Sequence, residues 1–238
     1  MQTLYSTLGE YFDVIVGAAS IDTEKEVAFL NDVFKTHDVH SVLDIACGTG
    51  RHSVALAEEG YEVVGVDYSE ELLKVARSKS RQSTAQFFLQ DVAAIKLENT
   101  FDAAICMWST FGELPYKQML KTLKSALRSG GLFVIDVVYY RQLPTGTNHK
   151  FYTSKVGDIT IDTNIRESFE GRKRTSDITY DINGRIVHDS NQMDIFTESE
   201  YIKLLDKYGF RYVETYYDYS LRKNDAAKRL QIMFSRDK

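Results

Sequence analysis

The sequence predicts an α/β fold: a mostly parallel sheet flanked by helices, interrupted by an inserted antiparallel β-meander. Three observations carry this. Residues 42–52 read VLDIACGTGRH, a buried-strand pattern that runs into a glycine turn and then a helix. Apolar runs then alternate with amphipathic helical stretches as far as Val138, as βαβ units do. Beyond residue 150 the period changes to two and an Asn-Gly pair appears, as in an antiparallel hairpin.

Taken in order, Asp22 to Phe34 places Val27, Leu30, Val33 and Phe34 on one helical face. Val42, Leu43 and Ile45 form the first strand, with Asp44 the one polar residue inside it. Gly48-Thr49-Gly50 is a turn in which a ligand can lie against bare backbone, because no Cβ stands in the way. Ser53 to Ala57 is a buried helix that stops at Gly60. Residues 61–66 form the second strand, ending at Asp67, and Ser69 caps the next helix with Glu70 and Glu71 in its positive first turn. A short third strand, Ala85 to Leu89, leads to Gln90-Asp91-Val92. The fourth strand is Phe101 to Cys106, and Met107 to Phe111 is the loop after it. Pro115 starts a helix, Ser129-Gly130-Gly131 stops it, and Leu132 to Val138 is a fifth strand buried on both faces.

The later part predicts a three-stranded meander over about residues 150–196, through alternating Ile159, Ile161 and Ile165, then Ile178, Tyr180 and Ile182. Glu170-Gly171-Arg172 and Asn183-Gly184 are its turns. Thr197-Glu198-Ser199-Glu200 is a capping box with Phe196 and Tyr201 as hydrophobic staple. Phe210 to Tyr219 and Leu230 to Ser235 form a closing hairpin.

The glycine loop admits two readings. A dinucleotide fold wants a third glycine where Ser53 stands. The D-x-x-x-G-x-G arrangement from Asp44 to Gly50 instead resembles the first motif of the class I S-adenosylmethionine-dependent methyltransferases. The likeness is close over about residues 40–137 and loose beyond. Ala46 to His52 and the Met-x-Ser-x-x-Gly-x-Leu pattern from Met107 to Leu114 resemble the N-methyltransferases of amino sugars. The resemblance implies a Rossmann-like seven-stranded sheet with an antiparallel last strand. It implies a single domain over residues 1–238, with residues 150–196 as an inserted lid over the active site. It implies S-adenosylmethionine as cofactor, held by Tyr11, Ala46, Gly48, Gly50, Asp67, Tyr68, Asp91, Val92 and Met107. In that picture Asp67 accepts from the ribose hydroxyls, Asp91 from the adenine amino group, and the Val92 N–H meets a ring nitrogen. An N-terminal Tyr-Asp segment folds over the cofactor in related enzymes; here Tyr11-Phe12-Asp13 is similar, within a stretch from Leu4 that also holds Tyr5.

On the acceptor side the reading is thinner. Trp108 and Phe111 are candidates to flank the sulfonium or the substrate, since a cation sits well against an aromatic face. Tyr139, Tyr140 and Arg141 follow the fifth strand, and Arg141 could hold a carboxylate or phosphate. The loop after the fourth strand has no N-P-P-Y or D-P-P-Y, which argues against a base or amide substrate. No catalytic residue is singled out; Glu113, His149 and His188 are the candidate bases. The expected reaction is methyl transfer to a small-molecule amine. A small-molecule O-methyltransferase and a non-catalytic cofactor-binding protein are the alternatives, with an NAD-linked oxidoreductase disfavoured.

Composition narrows the classes further. The chain has 238 residues and a formal net charge of −5, with no block of lysine and arginine, so no nucleic acid partner is expected. No apolar run is long enough to span a bilayer, and Met1 to Gly17 lacks the basic and hydrophobic order of a secretory leader. Two cysteines, Cys47 and Cys106, make neither a disulfide framework nor a zinc site, which fits a cytoplasmic setting. The first and fourth strands are neighbours in the methyltransferase sheet, so both either border the cofactor pocket or serve simply as small apolar fillers. A homodimer through the inserted sheet is a further expectation.

Overall fold

The computed structural model describes residues 9–17, 22–97, 100–224 and 226–237. Leu4 and Tyr5 therefore lie outside the described residues. Helix α1 is Phe12–Gly17 and α2 is Thr23–Thr36. Then follow β1 Ser41–Ile45, α3 Arg51–Glu58, β2 Glu62–Asp67, α4 Glu70–Lys79, β3 Gln86–Leu89, β4 Phe101–Cys106, α5 Tyr116–Ala126 and β5 Leu127–Val138. Four consecutive strands come next: β6 Gly146–Val156, β7 Ile159–Glu170, β8 Lys173–Ile182 and β9 Arg185–Asp194. Helix α6 Glu198–Asp206 and strands β10 Phe210–Tyr217 and β11 Arg229–Arg236 close the chain.

The main sheet has seven strands in the order β10-β11-β5-β4-β1-β2-β3. Strands β1 to β5 run parallel, and β11 is antiparallel to both β5 and β10. Both faces are covered, and the alternation of side chains along each strand sorts them into two cores. Leu43, Ala104, Phe133, Ile135 and Ile232 pack with α5 and α6 on one side. Val42, Ala103, Ile105, Leu132 and Met233 pack with Val27, Leu30, Val33 and Phe34 of α2 on the other. Truncating a leucine at the centre of such a layer, such as Leu43, costs roughly 2–5 kcal/mol. The strand order reverses between β1 and β4, so the carboxyl ends of these strands open a crevice at the switch point.

Two local expectations change. Helix α5 ends at Ala126, and β5 begins at once with Leu127, so Ser129-Gly130-Gly131 lie within the strand, which Gly130 interrupts with a φ of 75°. A Cβ on Gly131 would come within 2.9 Å of the Arg128 carbonyl oxygen, so glycine serves a close backbone approach there. The inserted sheet has four strands in the order β6-β7-β8-β9, over residues 146–194. The added strand β6 pairs with β7 from Gly146↔Phe169 to Val156↔Ile159. The Asn183-Gly184 turn has both φ angles positive, 49° and 91°, as a type I′ turn requires. The capping box holds α6, with the Thr197 N–H donating to Glu200 at 2.8 Å and the Phe196 and Tyr201 rings 5.0 Å apart.

The inserted sheet meets the rest of the chain at several places. Ile15 of α1 packs on Ile161, Ile178 and Tyr180, with Tyr11 beside them. At the other end the loop before α5 is pressed against the end of β9. A Cβ on Gly112 would overlap the Asp194 carbonyl oxygen, and the Tyr116 hydroxyl donates to Asp194 Oδ2 at 2.9 Å.

Candidate functional site

The glycine loop takes backbone conformations that suit small residues. Ala46, Gly48 and Gly50 have φ of 56°, 57° and 70°. At Gly50 a Cβ would stand 2.7 Å from the Phe87 ring and 2.9 Å from Ala76. The loop hands over directly to the N-terminus of α3, whose first N–H groups have no helical partner. The Gly48 N–H donates to Asp67 Oδ2 at 2.8 Å, and the Ser69 N–H donates to Oδ1 at 2.8 Å. The Asp67 carboxylate is thereby fixed at the end of β2, and each oxygen keeps lone-pair capacity for another donor. Burial raises its pKa against the pull of these N–H groups. Asp44 lies deeper. Ser53 donates to it at 2.6 Å and burial raises its pKa, so it braces the loop from beneath.

At the end of β3, Asp91 is exposed and accepts from the Ala93 N–H at 2.8 Å. The Val92 side chain is in the core, which leaves its backbone for any ligand contact. Tyr68 follows Asp67 and is 51% exposed. The N-terminal segment reaches the loop differently from expectation. The Phe12 ring lies 3.9 Å from where a Gly48 Cβ would be, and the Thr49 hydroxyl donates to Asp13 at 2.5 Å. Asp13 also pairs with Lys79. Tyr11 packs on the inserted sheet, so Phe12 is the ring against the glycine loop.

The loop after β4 is strained and clamped. Trp108 and Ser109 have φ of 63° and 65°. The Trp108 N–H donates to Asp136 Oδ2 at 2.9 Å and the Ser109 N–H to the Asp136 carbonyl at 2.7 Å. Arg229 pairs with the same buried carboxylate, and its guanidinium lies 6.0 Å from the Trp108 ring centre. Burial opposes the Arg229 charge, but Asp136 more than offsets it and raises the Arg229 pKa.

The structure places the remaining expected cofactor and substrate residues as follows. Phe111 is fully buried between Tyr116, stacked at 5.4 Å, and Tyr201 at 5.8 Å, so it belongs to the core. The Met107 side chain is likewise buried in the α2-side core. Tyr139 packs edge-on against Tyr217, 5.8 Å away. After β5, Tyr140 meets the inserted sheet, against Phe169 and Arg174. Arg141 is exposed. Cys106 is fully buried in the α5-side core, and Cys47 packs with Leu73, Ala76 and Phe87. Both thiols are pushed up in pKa by burial and then by nearby carboxylates, and they act as small apolar fillers. His149 and His188 are exposed on the strands of the inserted sheet, whereas Glu113 accepts from Asn191 Nδ2 at 3.5 Å on its inner side.

A buried polar cluster beside the loop was not anticipated. Glu26 of α2 accepts from Arg51 at 2.5 Å and from Tyr219 at 3.1 Å, and lies 2.8 Å from His52 Nε2. It ties α2, the start of α3 and the β10–β11 connection together. Arg51 directly after the glycine loop was the available signal, since a buried guanidinium needs an acid nearby.

The residues of the crevice fit an adenosine-bearing ligand: a side-chain-free loop, a fixed carboxylate with spare acceptors, and a second acid one strand further. A family model described as a methyltransferase domain matches residues 42–131. "Putative methyltransferase YqeM" of Bacillus subtilis (strain 168) is 31% identical over 183 residues, which span 71% of this chain and 73% of that protein. The chain belongs to the S-adenosylmethionine-dependent methyltransferases.

Other methyltransferases agree. Glycine N-methyltransferase of Mus musculus is 30% identical over 174 residues, 63% of this chain but 59% of that protein, so the chain spans less than two thirds of such a relative. dTDP-3-amino-3,6-dideoxy-alpha-D-glucopyranose N,N-dimethyltransferase of Streptomyces fradiae is 26% identical over 205 residues, 82% of this chain and 80% of that one. Among solved structures, an S-adenosylmethionine-dependent methyltransferase from Clostridium acetobutylicum ATCC 824 superposes with a TM-score of 0.82 at 20% identity, covering 96% of each chain. That likeness establishes the seven-stranded methyltransferase fold with its extra antiparallel sheet. Among the described residues no helix is long and apolar enough to cross a membrane, and no cluster of His, Cys, Asp and Glu is built to hold a metal.

Proposed function

We propose that this methyltransferase acts on a small-molecule amine, with the crevice at the ends of β1 to β4 as its cofactor site and the sheet of residues 146–194 as its lid. The observation that carries the cofactor site is the Asp67 carboxylate, held by the Gly48 and Ser69 amides with acceptor capacity to spare. Asp67 accepts from the ribose hydroxyls, Asp91 from the adenine amino group, and the Val92 N–H donates to the ring. Ala46, Gly48 and Gly50 leave the space in which the rest of the ligand lies, with Phe12 and Tyr68 at its borders. S-adenosylmethionine, when bound, supplies a methyl carbon activated by a positive sulfur.

The chain's own task is then to orient the acceptor, exclude water and take a proton. Glu113 is the candidate base on the inner side of the lid, and it receives the proton of the acceptor ammonium and passes it to solvent. An amine acceptor accords with the names of the glycine and amino-sugar relatives. Two buried free thiols suit a reducing compartment, and we place the protein in the cytoplasm.

Calorimetric titration with S-adenosylhomocysteine and with NAD tests the cofactor site. Binding of the first and not the second is expected; tight NAD binding alone overturns the reading. Screening amines, phenols and carboxylates for S-adenosylhomocysteine release then tests the acceptor class, with turnover of amines expected.

A further inference from the structure

Two buried charge clusters lie behind the loops after β1 and β4, and Tyr219 touches both. Behind the glycine loop, Glu26 of α2 accepts at 2.5 Å from Arg51, the first residue of α3. Behind the loop after β4, Asp136 accepts from the Trp108 N–H at 2.9 Å and from Arg229 Nε at 3.0 Å. The Tyr219 hydroxyl donates to Glu26 Oε1 at 3.1 Å, and its backbone N–H donates to Gln231 Oε1 at 2.7 Å. Gln231 Nε2 in turn donates to Asp136 Oδ1 at 2.8 Å. An N–H only donates and a carboxylate only accepts, so the Gln231 amide can face them in one orientation alone. Glu26, Gln231 and Asp136 are all buried, and each meets its hydrogen-bonding need within this chain of contacts.

Tyr219 is itself held in place. Asp218 and Tyr219 have φ of 48° and 68°, in the left-handed region that non-glycine residues seldom adopt. Asp218 Oδ1 takes the N–H groups of Lys228 and Arg229 at 3.0 and 2.9 Å, which closes the connection between β10 and β11. The Tyr219 ring stands edge-on to Phe29 of α2, with centres 5.6 Å apart. Burial, then the charges of Asp136 and Glu26, push the Tyr219 pKa up, so the phenol stays a donor. Trp108 packs on the same core, which also holds Phe29 of α2 and Leu56 of α3. Both loops therefore rest on one face of the sheet. Buried ion pairs add little net stability, because desolvation offsets their attraction. What a chain of directed hydrogen bonds imposes is position, here of the loop after β4 relative to the glycine loop.

We infer that Tyr219 is a positioning residue for methyl transfer, which sets the Trp108-Ser109 loop in register with the glycine loop. The inference rests on the methyltransferase reading above. Displacement at the methyl carbon needs the two loops in register, since a misplacement of about 1 Å can cost 10²-fold in rate. Tyr219 acts through Glu26 and Arg51 on one side and through Gln231 and Asp136 on the other. Arg51 still pairs with Glu26 when the Tyr219 hydroxyl is gone. Tyr219→Phe therefore cuts the link without stranding a charge.

Trp108 is the sole tryptophan of the chain, so tryptophan fluorescence reports on this loop. The test titrates the full chain with S-adenosylhomocysteine and follows calorimetric heat and Trp108 emission together. In the wild type the emission should change with the same midpoint as the heat. In Tyr219→Phe the calorimetric affinity should stay within about threefold, while the emission change at saturation falls by at least half. Acrylamide quenching of Trp108 in that complex should rise at least twofold. Tyr216→Phe is the control: its ring also packs on Phe29, with centres 4.8 Å apart, but its hydroxyl donates to Glu214, outside the chain of contacts. It should behave as the wild type. Gln231→Met cuts the link on the Asp136 side and gives the same result if Tyr219→Phe does not fold. A full emission change in the variants that cut the link, or an equal loss in Tyr216→Phe, overturns the inference. So does Trp108 emission that ignores S-adenosylhomocysteine in a wild type that binds it. Affinity lost in parallel with the emission change also overturns it, because Tyr219 would then serve the cofactor bed alone. Absent calorimetric binding by the wild type strikes the methyltransferase reading instead.

Discussion

The Gly48 amide donates to Asp67 Oδ2 over 2.8 Å, so the glycine loop after β1 and the acid that ends β2 form one unit. Asp67→Ala therefore removes the proposed ribose contact and the anchor of the loop together. S-adenosylhomocysteine affinity should fall by roughly 1.5–3 kcal/mol, the range for hydrogen bonds to a charged group. Calorimetry measures this, and an unchanged affinity would remove Asp67 from the site.

Gly50→Ala tests the loop from the other side. The new Cβ would meet the Phe87 ring and Ala76 under 3.0 Å, at a φ of 70°. Overpacking and left-handed strain together should cost about 2–4 kcal/mol of stability. Gly60→Ala is the matched control, since its φ is also positive but nothing lies within 4 Å of its Cβ. Thermal unfolding of the two variants should separate them clearly, and equal melting points would refute the steric argument.

Acid should weaken the fold through Glu26. Burial alone would raise its pKa, but the His52 hydrogen bond and the Arg51 charge bring it from 4.5 down to about 2. A depressed carboxylate contributes stability that is present above the unfolded value and lost as pH falls through the folded one, here between about 4.5 and 2. The difference corresponds to about 3 kcal/mol. Asp44 has a raised pKa and works in the opposite direction, contributing below its unfolded value and losing that contribution as pH rises. Denaturant unfolding across this range should show the wild type losing stability and Glu26→Gln, already weaker at pH 7, losing much less. Parallel curves for the two proteins would exclude Glu26 as the source.

The sequence made most of the main sheet legible because its strands are buried on both faces and its helices carry clean apolar stripes. Strand β4 is where Phe101 to Cys106 put it, and the Asn183-Gly184 turn fixes the β8–β9 register. Strand β6 was missed because Lys150, Tyr152 and Ser154, the residues it turns inward, give a weak hydrophobic alternation. Phe111 and Tyr140 are both aromatic residues in loops beside the crevice, and sequence alone does not separate the one in the core from the one against the inserted sheet. Asp136 was visible as the acid in an otherwise apolar strand, yet its partner Arg229 lies 93 residues away in an antiparallel neighbour. Glu26 and Arg51 are also far apart in sequence, and only the packing of α2 on α3 brings them together.

The inserted sheet docks through a close approach at its β9 end. Gly112 lies against the Asp194 carbonyl with no room for a Cβ, and Tyr116 donates its hydroxyl to the Asp194 carboxylate beside it. Burial and that hydrogen bond raise the Tyr116 pKa to about 12, so the phenol stays a donor at neutral pH. Gly112→Ala should push β9 away from the loop that carries Glu113. The expected result is a rise in acceptor KM of at least tenfold with S-adenosylhomocysteine affinity unchanged, and faster proteolysis between residues 146 and 194. Tyr116→Phe keeps the ring and removes only the hydrogen bond to a carboxylate, so it should cost about 1.5–3 kcal/mol and move KM less. If Gly112→Ala lowered cofactor affinity and left acceptor KM alone, the 146–194 sheet would not be gating the acceptor side.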